Sequence, residues 1–374
     1  MTPIEKYQID LTTNDFQYDA AQEHAVQCLN DLYLRFEQLQ NEQSNGTSQP
    51  TQHFLSRFFK KKPSVKTVEP LQGLYFWGGV GRGKTYLVDT FYESLTGQRK
   101  MRVHFHRFMQ RVHDELTALE HQSDPLLLVA DKFKAEADII CFDEFFVSDI
   151  TDAMILGTLF EALFSRGITL VATSNIPPHD LYKNGLQRAR FLPAIMLIEQ
   201  HCEVVNVDSG IDYRLRTLEQ AEIYHYPLDE QASKNINAYF EQLSFEPRHY
   251  HQKIEINHRQ LPCIAESDGV VHFSFEQLCQ SARSQKDYIE LSRIYHTVLL
   301  SDVTMMSRDT DDAARRFIAM VDEFYERNVT LIISAEAELE ALYSQGSLEF
   351  EFKRCQSRLI EMQSHEYLAK DHLP

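Results

Sequence analysis

Eight consecutive residues, Gly78, Gly79, Val80, Gly81, Arg82, Gly83, Lys84 and Thr85, fit the spacing G-x-x-x-x-G-K-[ST], and their types point to one chemistry. Glycine tolerates backbone conformations closed to other residues, so a glycine-rich turn can aim successive N–H groups at phosphate oxygens. A helix beginning directly behind it, in the run from Tyr86 to Leu95, presents its positive end to the same anion. Lys84 is then within reach of β- and γ-phosphates, and the Thr85 hydroxyl is placed to ligate Mg²⁺. Tyr86 closes the nucleotide-binding segment. The expected ligand is ATP with Mg²⁺, and the expected reaction is hydrolysis of ATP to ADP and phosphate.

A second group supplies what the first lacks. Ile139-Ile-Cys-Phe-Asp143-Glu144 is an apolar run ending in two acids. Carboxylates at the tip of a core strand are costly unless a cation or donor compensates them. Beside a phosphate loop that cation is Mg²⁺, held by Asp143, while Glu144 orients and polarises the attacking water. Asn175, in Thr173-Ser-Asn175, is expected at a C-terminal strand edge, where it can contact the γ-phosphate or help position water. Arg188 and, second in preference, Arg190 could meet charge developing on the γ-phosphate of a neighbouring subunit, which implies self-association. Arg214 is a candidate nucleotide contact within its own subunit.

These residues need a scaffold that gathers strand ends. Apolar runs at 74–77, 102–105, 137–142, 168–173 and 202–207 alternate with helical segments such as 86–95, 109–119 and 152–165, which is how a parallel sheet is written. The fold class is therefore α/β, a phosphate-loop sheet with helices on both faces. Ahead of it, residues 17–40 carry apolar positions three and four apart and predict an amphipathic helix. A polar stretch, 41–52, then runs into His53-Phe-Leu-Ser-Arg-Phe-Phe-Lys-Lys-Lys-Pro63, read as a loop, with peripheral contact to a membrane surface or an acidic partner as the alternative. The division is 1–70 for helix and linker, 71–215 for the ATPase core, 216–268 for a connecting segment and 269–374 for a C-terminal α/β module.

Composition narrows the classes further. The chain has 374 residues, 43% hydrophobic and 25% charged, with a formal charge of −18. That is ordinary for a folded protein and argues against nucleic-acid binding through bulk electrostatics. Six scattered cysteines form no zinc-like spacing and read as reduced thiols. His104 and His106 read as neighbours on one strand face with no third ligand, so a metal site is not expected there. The start of the chain lacks signal-peptide character, and a soluble cytoplasmic protein is expected. No Asn-Lys-x-Asp run is present to read guanine.

The runs Gly73 to Thr85, His104 to Phe108, Cys141 to Ile150, Asn184 to Arg190 and Asp322 to Arg327 together resemble the AFG/LACE-type AAA+ ATPase family, which has bacterial and mitochondrial members. The likeness extends from about Leu71 to Leu368. It implies an AAA+-type ATPase acting on a protein partner at the bacterial division site, with FtsZ as that partner. By the motif match Lys84 and Thr85 correspond to Walker A, Asp143 and Glu144 to Walker B, Asn175 to sensor 1 and Arg188 to the finger. Two other readings stand beside it: a nucleic-acid-linked ATPase of the helicase-loader type, and a chaperone or protease partner in membrane-protein quality control, in which aromatic residues from Phe105 to Phe108 would grip a chain.

The C-terminal part echoes the core. Val271-His-Phe273 resembles Val103-His-Phe105, residues 297–302 resemble 138–143, and residues 323–334 resemble 162–173, with Leu342-Tyr343 following as Leu181-Tyr182 does. Residues 253–258 precede this series without any glycine-rich turn. The expectation is a degenerate module that binds no nucleotide, and different strand orders in the two halves would end it.

Overall fold

The computed structural model describes residues 1–12, 18–45 (side chains of 42–45 excepted), 70–79, 83–119, 122–208, 215, 218, 221–244, 248–267 and 269–373. The chain divides into two compact units, Met1–Gly210 and Ile211–Pro374. The basic, aromatic run 53–63 lies outside the described residues.

The first unit carries helices α1 (Pro3–Asp10) and α2 (Ala20–Asn45), followed by strand β1 (Gly73–Trp77), α3 (Lys84–Ser94), β2 (Lys100–His104), α4 (Phe105–Ala118), α5 (Pro125–Glu136), β3 (Ile139–Asp143), α6 (Ile150–Ser165), β4 (Thr169–Ser174), α7 (Leu192–His201) and β5 (Cys202–Asn206). The five strands form one sheet in the order β2-β3-β4-β1-β5, and every pairing is parallel. Alternation along each strand builds two cores. Tyr75, Phe142 and Ala172 pack on the side of α4 to α7, while Leu74, Phe76, Cys141 and Val171 pack on the side of α2 and α3.

Two expectations change here. Helices α1 and α2, in the segment read as standing ahead of the ATPase core, pack into the first unit's core: Tyr7, Val26, Leu29 and Leu32 are buried with Leu87 and Phe91 of α3. His106 is not on a strand, because β2 ends at His104 and α4 begins at Phe105. The Val-His-Phe alternation looks like a strand, but Phe105, Phe108, Met109 and Val112 follow helical spacing and are all buried. Phe105 packs at a tilt against Phe145, with centroids 4.3 Å apart, and Phe108 against Phe133 at 4.6 Å. Phe105 and Phe108 are therefore core residues on a helix, not an exposed loop that could grip a chain.

The second unit consists of β6 (Tyr224–His225), α8 (Glu230–Leu243), β7 (His249–Tyr250), β8 (Lys253–Ile256), β9 (Arg259–Pro262), β10 (Ala265–Ser267), β11 (Val270–Ser274), α9 (Gln285–Ile294), β12 (Thr297–Val303), α10 (Asp311–Glu326), β13 (Thr330–Ala335), α11 (Glu349–Met362) and α12 (His365–Leu368). Its main sheet has the order β6-β13-β12-β11-β10-β7. Strands β11, β12, β13 and β6 are parallel neighbours, as β2, β3, β4 and β1 are in the first unit. The strand orders agree over those four positions. Residues 216–268 are thus not merely a connection, since they supply β6 and the helix α8 that covers one face. The counterpart of β1 is β6, whereas residues 253–256 belong to a separate two-stranded β8-β9 hairpin.

Register corrects the sequence echo. Ile139 stands beside Thr169 and Thr297 beside Thr330, so Ser301 and Asp302 occupy the places of Asp143 and Glu144. Arg102 stands beside Cys141, and His272 beside Leu299, so His272 takes the place of Arg102. The echoes by eye are therefore one and two residues out of step, because the residues between the strands differ in number while the strands keep their pairing.

Candidate active site

Strand β1 delivers the glycine-rich turn to the carboxyl edge of the sheet. Trp77 is its last residue, and the Gly78 N–H donates to the Ser174 carbonyl at the end of β4, 3.3 Å away. Gly78 lies at φ 159 and Gly83 at φ 74. At Gly83 the left-handed backbone favours glycine, and an added Cβ would also fall 2.5 Å from Gln22 Nε2. Gly83 is the N-cap of α3 and has no side chain with which to cap it. The N-cap residue thus brings no side-chain acceptor of its own to the positive end of α3, where an anion is favoured. Val80, Gly81 and Arg82 lie outside the described residues, as does Arg214.

Lys84 folds back over this turn, its Nζ donating to the carbonyls of Gly78 (2.6 Å) and Gly79 (2.7 Å). An ammonium held over the loop's mouth fits a phosphate group. Thr85 follows on the first turn of α3, half-buried. The Tyr86 side chain does something else: its hydroxyl donates to Asp10 Oδ2 at 2.6 Å. Burial and then this carboxylate push its pKa up. Tyr86 therefore ties α1 to the phosphate-loop helix.

The acidic pair ends β3, one strand beyond β4. Asp143 is buried, and Glu144 is half-buried in the left-handed region at φ 51. That turn is pinned to β4: the Glu144 N–H donates to Thr173 Oγ1 (3.2 Å), the Phe145 N–H to the Thr173 carbonyl (2.6 Å), and Ser174 Oγ to the Phe145 carbonyl (2.8 Å). Thr173 and Ser174 thus bind the acidic turn and the first glycine of the loop together. Asn175 comes next in the chain, half-buried, on the same edge. The donor set fits a hard divalent cation: a carboxylate at Asp143 and a hydroxyl at Thr85.

Arg188 and Arg190 lie on a short 3₁₀ turn, Arg188–Arg190, between β4 and α7. Arg188 is half-buried and its Nη2 donates to the His179 carbonyl at 2.6 Å, while Arg190 is exposed.

Sequence reasoning missed Arg102. It projects from β2, its Nε donates to Asp143 Oδ2 at 2.7 Å and its Nη2 lies 3.3 Å from Asp143 Oδ1. Nη1 of the same guanidinium pairs with Asp89 of α3. The available signal was an arginine inside a strand, since a largely buried guanidinium requires a carboxylate partner.

Comparison with known proteins agrees with this arrangement. The AFG1-like ATPase family model matches residues 1–371. The chain is 54% identical over 376 residues, covering 100% of this chain and 99% of the other, to a protein of Escherichia coli (strain K12) named cell division protein ZapE. It is 36% identical over 344 residues, 80% of this chain and 68% of the other, to lactation elevated protein 1 homolog B of Danio rerio. A crystal structure of DnaI is similar over 52% of this chain and 89% of that one at 15% identity, with a TM-score of 0.32. Among the described residues no helix is long and apolar enough to cross a membrane. A phosphate-loop motif after β1, an acidic pair at the end of β3 on the same sheet edge and a family match spanning nearly every residue lead to one assignment: the chain belongs to the AFG1-like ATPase family and is a nucleotide-binding ATPase.

Proposed function

We propose that the chain is a Mg²⁺-dependent ATPase that remodels a protein partner in bacterial cell division, acting at the division site on FtsZ. The reading is carried by the hydrogen bonds through Thr173 and Ser174, which gather the start of the phosphate loop and the Asp143-Glu144 turn at one sheet edge. The cell-division part rests on the name of the full-length Escherichia coli relative.

In this scheme Lys84 leaves the loop carbonyls and meets the β- and γ-phosphates. Thr85 and Asp143 would hold Mg²⁺, which would neutralise phosphate charge. Glu144 orients the attacking water, and Asn175 assists it from the end of β4. Arg188 acts from a neighbouring subunit, with Arg190 as the substitute.

The test is Glu144→Gln. This variant is expected to bind ATP, to hydrolyse it about 10²- to 10³-fold more slowly, and to co-sediment with FtsZ polymers while ATP is trapped. Loss of nucleotide binding overturns the role given to Glu144. Trapped ATP without FtsZ association overturns the partner. For the finger, mixing inactive Arg188→Ala with inactive Lys84→Ala subunits is expected to restore some hydrolysis. No recovery in demonstrably mixed assemblies argues for a site completed within one chain.

A further inference from the structure

Three charged side chains meet under the nucleotide site: Arg102 from β2, Asp143 from the end of β3, and Asp89 from α3. Their side chains are 20%, 7% and 10% exposed respectively, so all three are withdrawn from water. Asp89 follows Thr85 by one helical turn and lies on the same face of α3. The residue assigned to the metal, Asp143, is therefore already engaged by a guanidinium through both of its oxygens.

We infer that Arg102 is a positioning residue that governs metal loading, holding Asp143 when the metal is out and shifting toward Asp89 when Mg²⁺ arrives with nucleotide. This rests on the assignment of Asp143 to the metal. A carboxylate that gives both oxygens to a guanidinium fork has its best lone pairs occupied, so a metal, or a water bound to it, has to displace one arm. Arginine does not escape by losing its proton. It has to move, and Asp89 is already in contact with Nη1. The arrangement makes metal affinity depend on how firmly Arg102 grips Asp143.

The deciding variant is Arg102→Lys, which keeps the charge and removes the fork. The readout is the Mg²⁺ concentration giving half-maximal binding of a fluorescent ATP analogue to the full chain, with thermal stability measured in parallel. The expected result is a half-saturating Mg²⁺ concentration about 3- to 10-fold lower than wild type, even though the variant melts earlier. Asp89→Asn, which weakens the alternative resting place, is expected to shift the same quantity upward. A purely structural ion pair would lower the melting temperature of Arg102→Lys and leave its half-saturating Mg²⁺ unchanged, and that result overturns the proposal. If Arg102→Lys does not fold, the proposal is decided by Asp89→Asn, whose half-saturating Mg²⁺ must rise. Wild-type binding that ignores Mg²⁺, together with an unaffected Asp143→Asn, overturns the metal assignment itself and the gate with it. Magnesium dependence lost in Asp143→Asn but unmoved in Arg102→Lys overturns the gate alone.

Discussion

The two units solve the same packing problem with the same four-strand order, yet the helices that follow β1 and β6 are capped differently. In the first, β1 runs into glycines and the N-cap of α3 is Gly83, which has no side chain with which to cap the helix. In the second, β6 runs through Tyr226, Pro227 and Leu228 to Asp229, whose own carboxylate accepts the Ala232 N–H of α8 at 2.8 Å. That aspartate puts a covalently attached anion where the first unit would receive phosphate. The acid edge has changed as well. Asp302 repeats the left-handed turn of Glu144, at φ 61, and its N–H donates to Ser334 Oγ at 3.2 Å as that of Glu144 does to Thr173. Ser301 stands where Asp143 would, and His272 where Arg102 would. Strand order and an edge hydrogen bond recur in the two units while the side chains at the places of Asp143 and Arg102 differ, so the turn is a property of the scaffold that the side chains placed on it do not share.

The largest effect should separate the two units by activity. Lys84→Ala is expected to reduce ATP turnover by at least about 10²- to 10³-fold with the fold intact. Asp302→Asn, altering the counterpart of Glu144, is expected to leave turnover within about 2-fold of wild type. Steady-state ATPase assays on both variants, with circular dichroism as the control for folding, check this. A large loss in Asp302→Asn would mean that the second unit takes part in the chemistry.

A smaller effect follows from His272. It is buried, and neither ring nitrogen has a hydrogen-bond partner among the described residues. Burial pushes its pKa down from 6.5 to about 4. The folded value is the depressed one, so the unfolded chain takes up the proton first. The stabilisation is complete above pH 6.5 and is lost as pH falls toward 4, by up to about 3 kcal/mol. Arg102 in the first unit carries its charge throughout this range and answers to no such titration. His272→Leu is therefore expected to flatten the dependence of denaturation midpoint on pH between 6.5 and 4 by about one proton's worth of slope. An unchanged slope would show that His272 meets water or a partner when it protonates.

How much of this was legible depended on range along the chain. The phosphate loop, the strand that carries Asp143, and the placement of β1 to β5 could be read because each is a contiguous pattern with a physical rule behind it. Helix α5, with Pro125 at its start, was overlooked because its apolar residues Leu126, Leu127, Leu128 and Val129 form a run without clear helical spacing. The grip of Arg102 on Asp143 was beyond reach, since it joins positions on two strands whose register is set only in three dimensions. Likewise the echo between the halves was visible in residues 323–334, yet its register over the earlier strands was not. A two-residue β6 carries too little pattern to be found, and the counterpart of β1 lies in the stretch read as a connection.

The smallest effect tests the shared scaffold most directly. Tyr75 of β1 donates its hydroxyl to the Ile176 carbonyl at 3.0 Å, and Tyr224 of β6 donates to the Ala337 carbonyl at 2.8 Å. The registers make these the same contact: Tyr75 stands beside Ala172 and Tyr224 beside Ile333, and each acceptor lies four residues beyond that neighbour. Tyr→Phe at either position removes one donor and leaves a partly buried carbonyl short of its partner, at a cost of about 1 kcal/mol each. Chemical denaturation should therefore show two similar losses of stability. Their consequences for turnover should differ, because Ile176 adjoins Asn175 at the edge of the active site, whereas Ala337 adjoins no residue assigned to nucleotide. Tyr75→Phe is expected to lower kcat by about 2- to 5-fold, on the scale of one weakened hydrogen bond, and Tyr224→Phe to leave it unchanged. Equal losses of activity would mean that the hydroxyls act only through global stability, and the contact at Tyr75 would then have no separate part in holding Asn175.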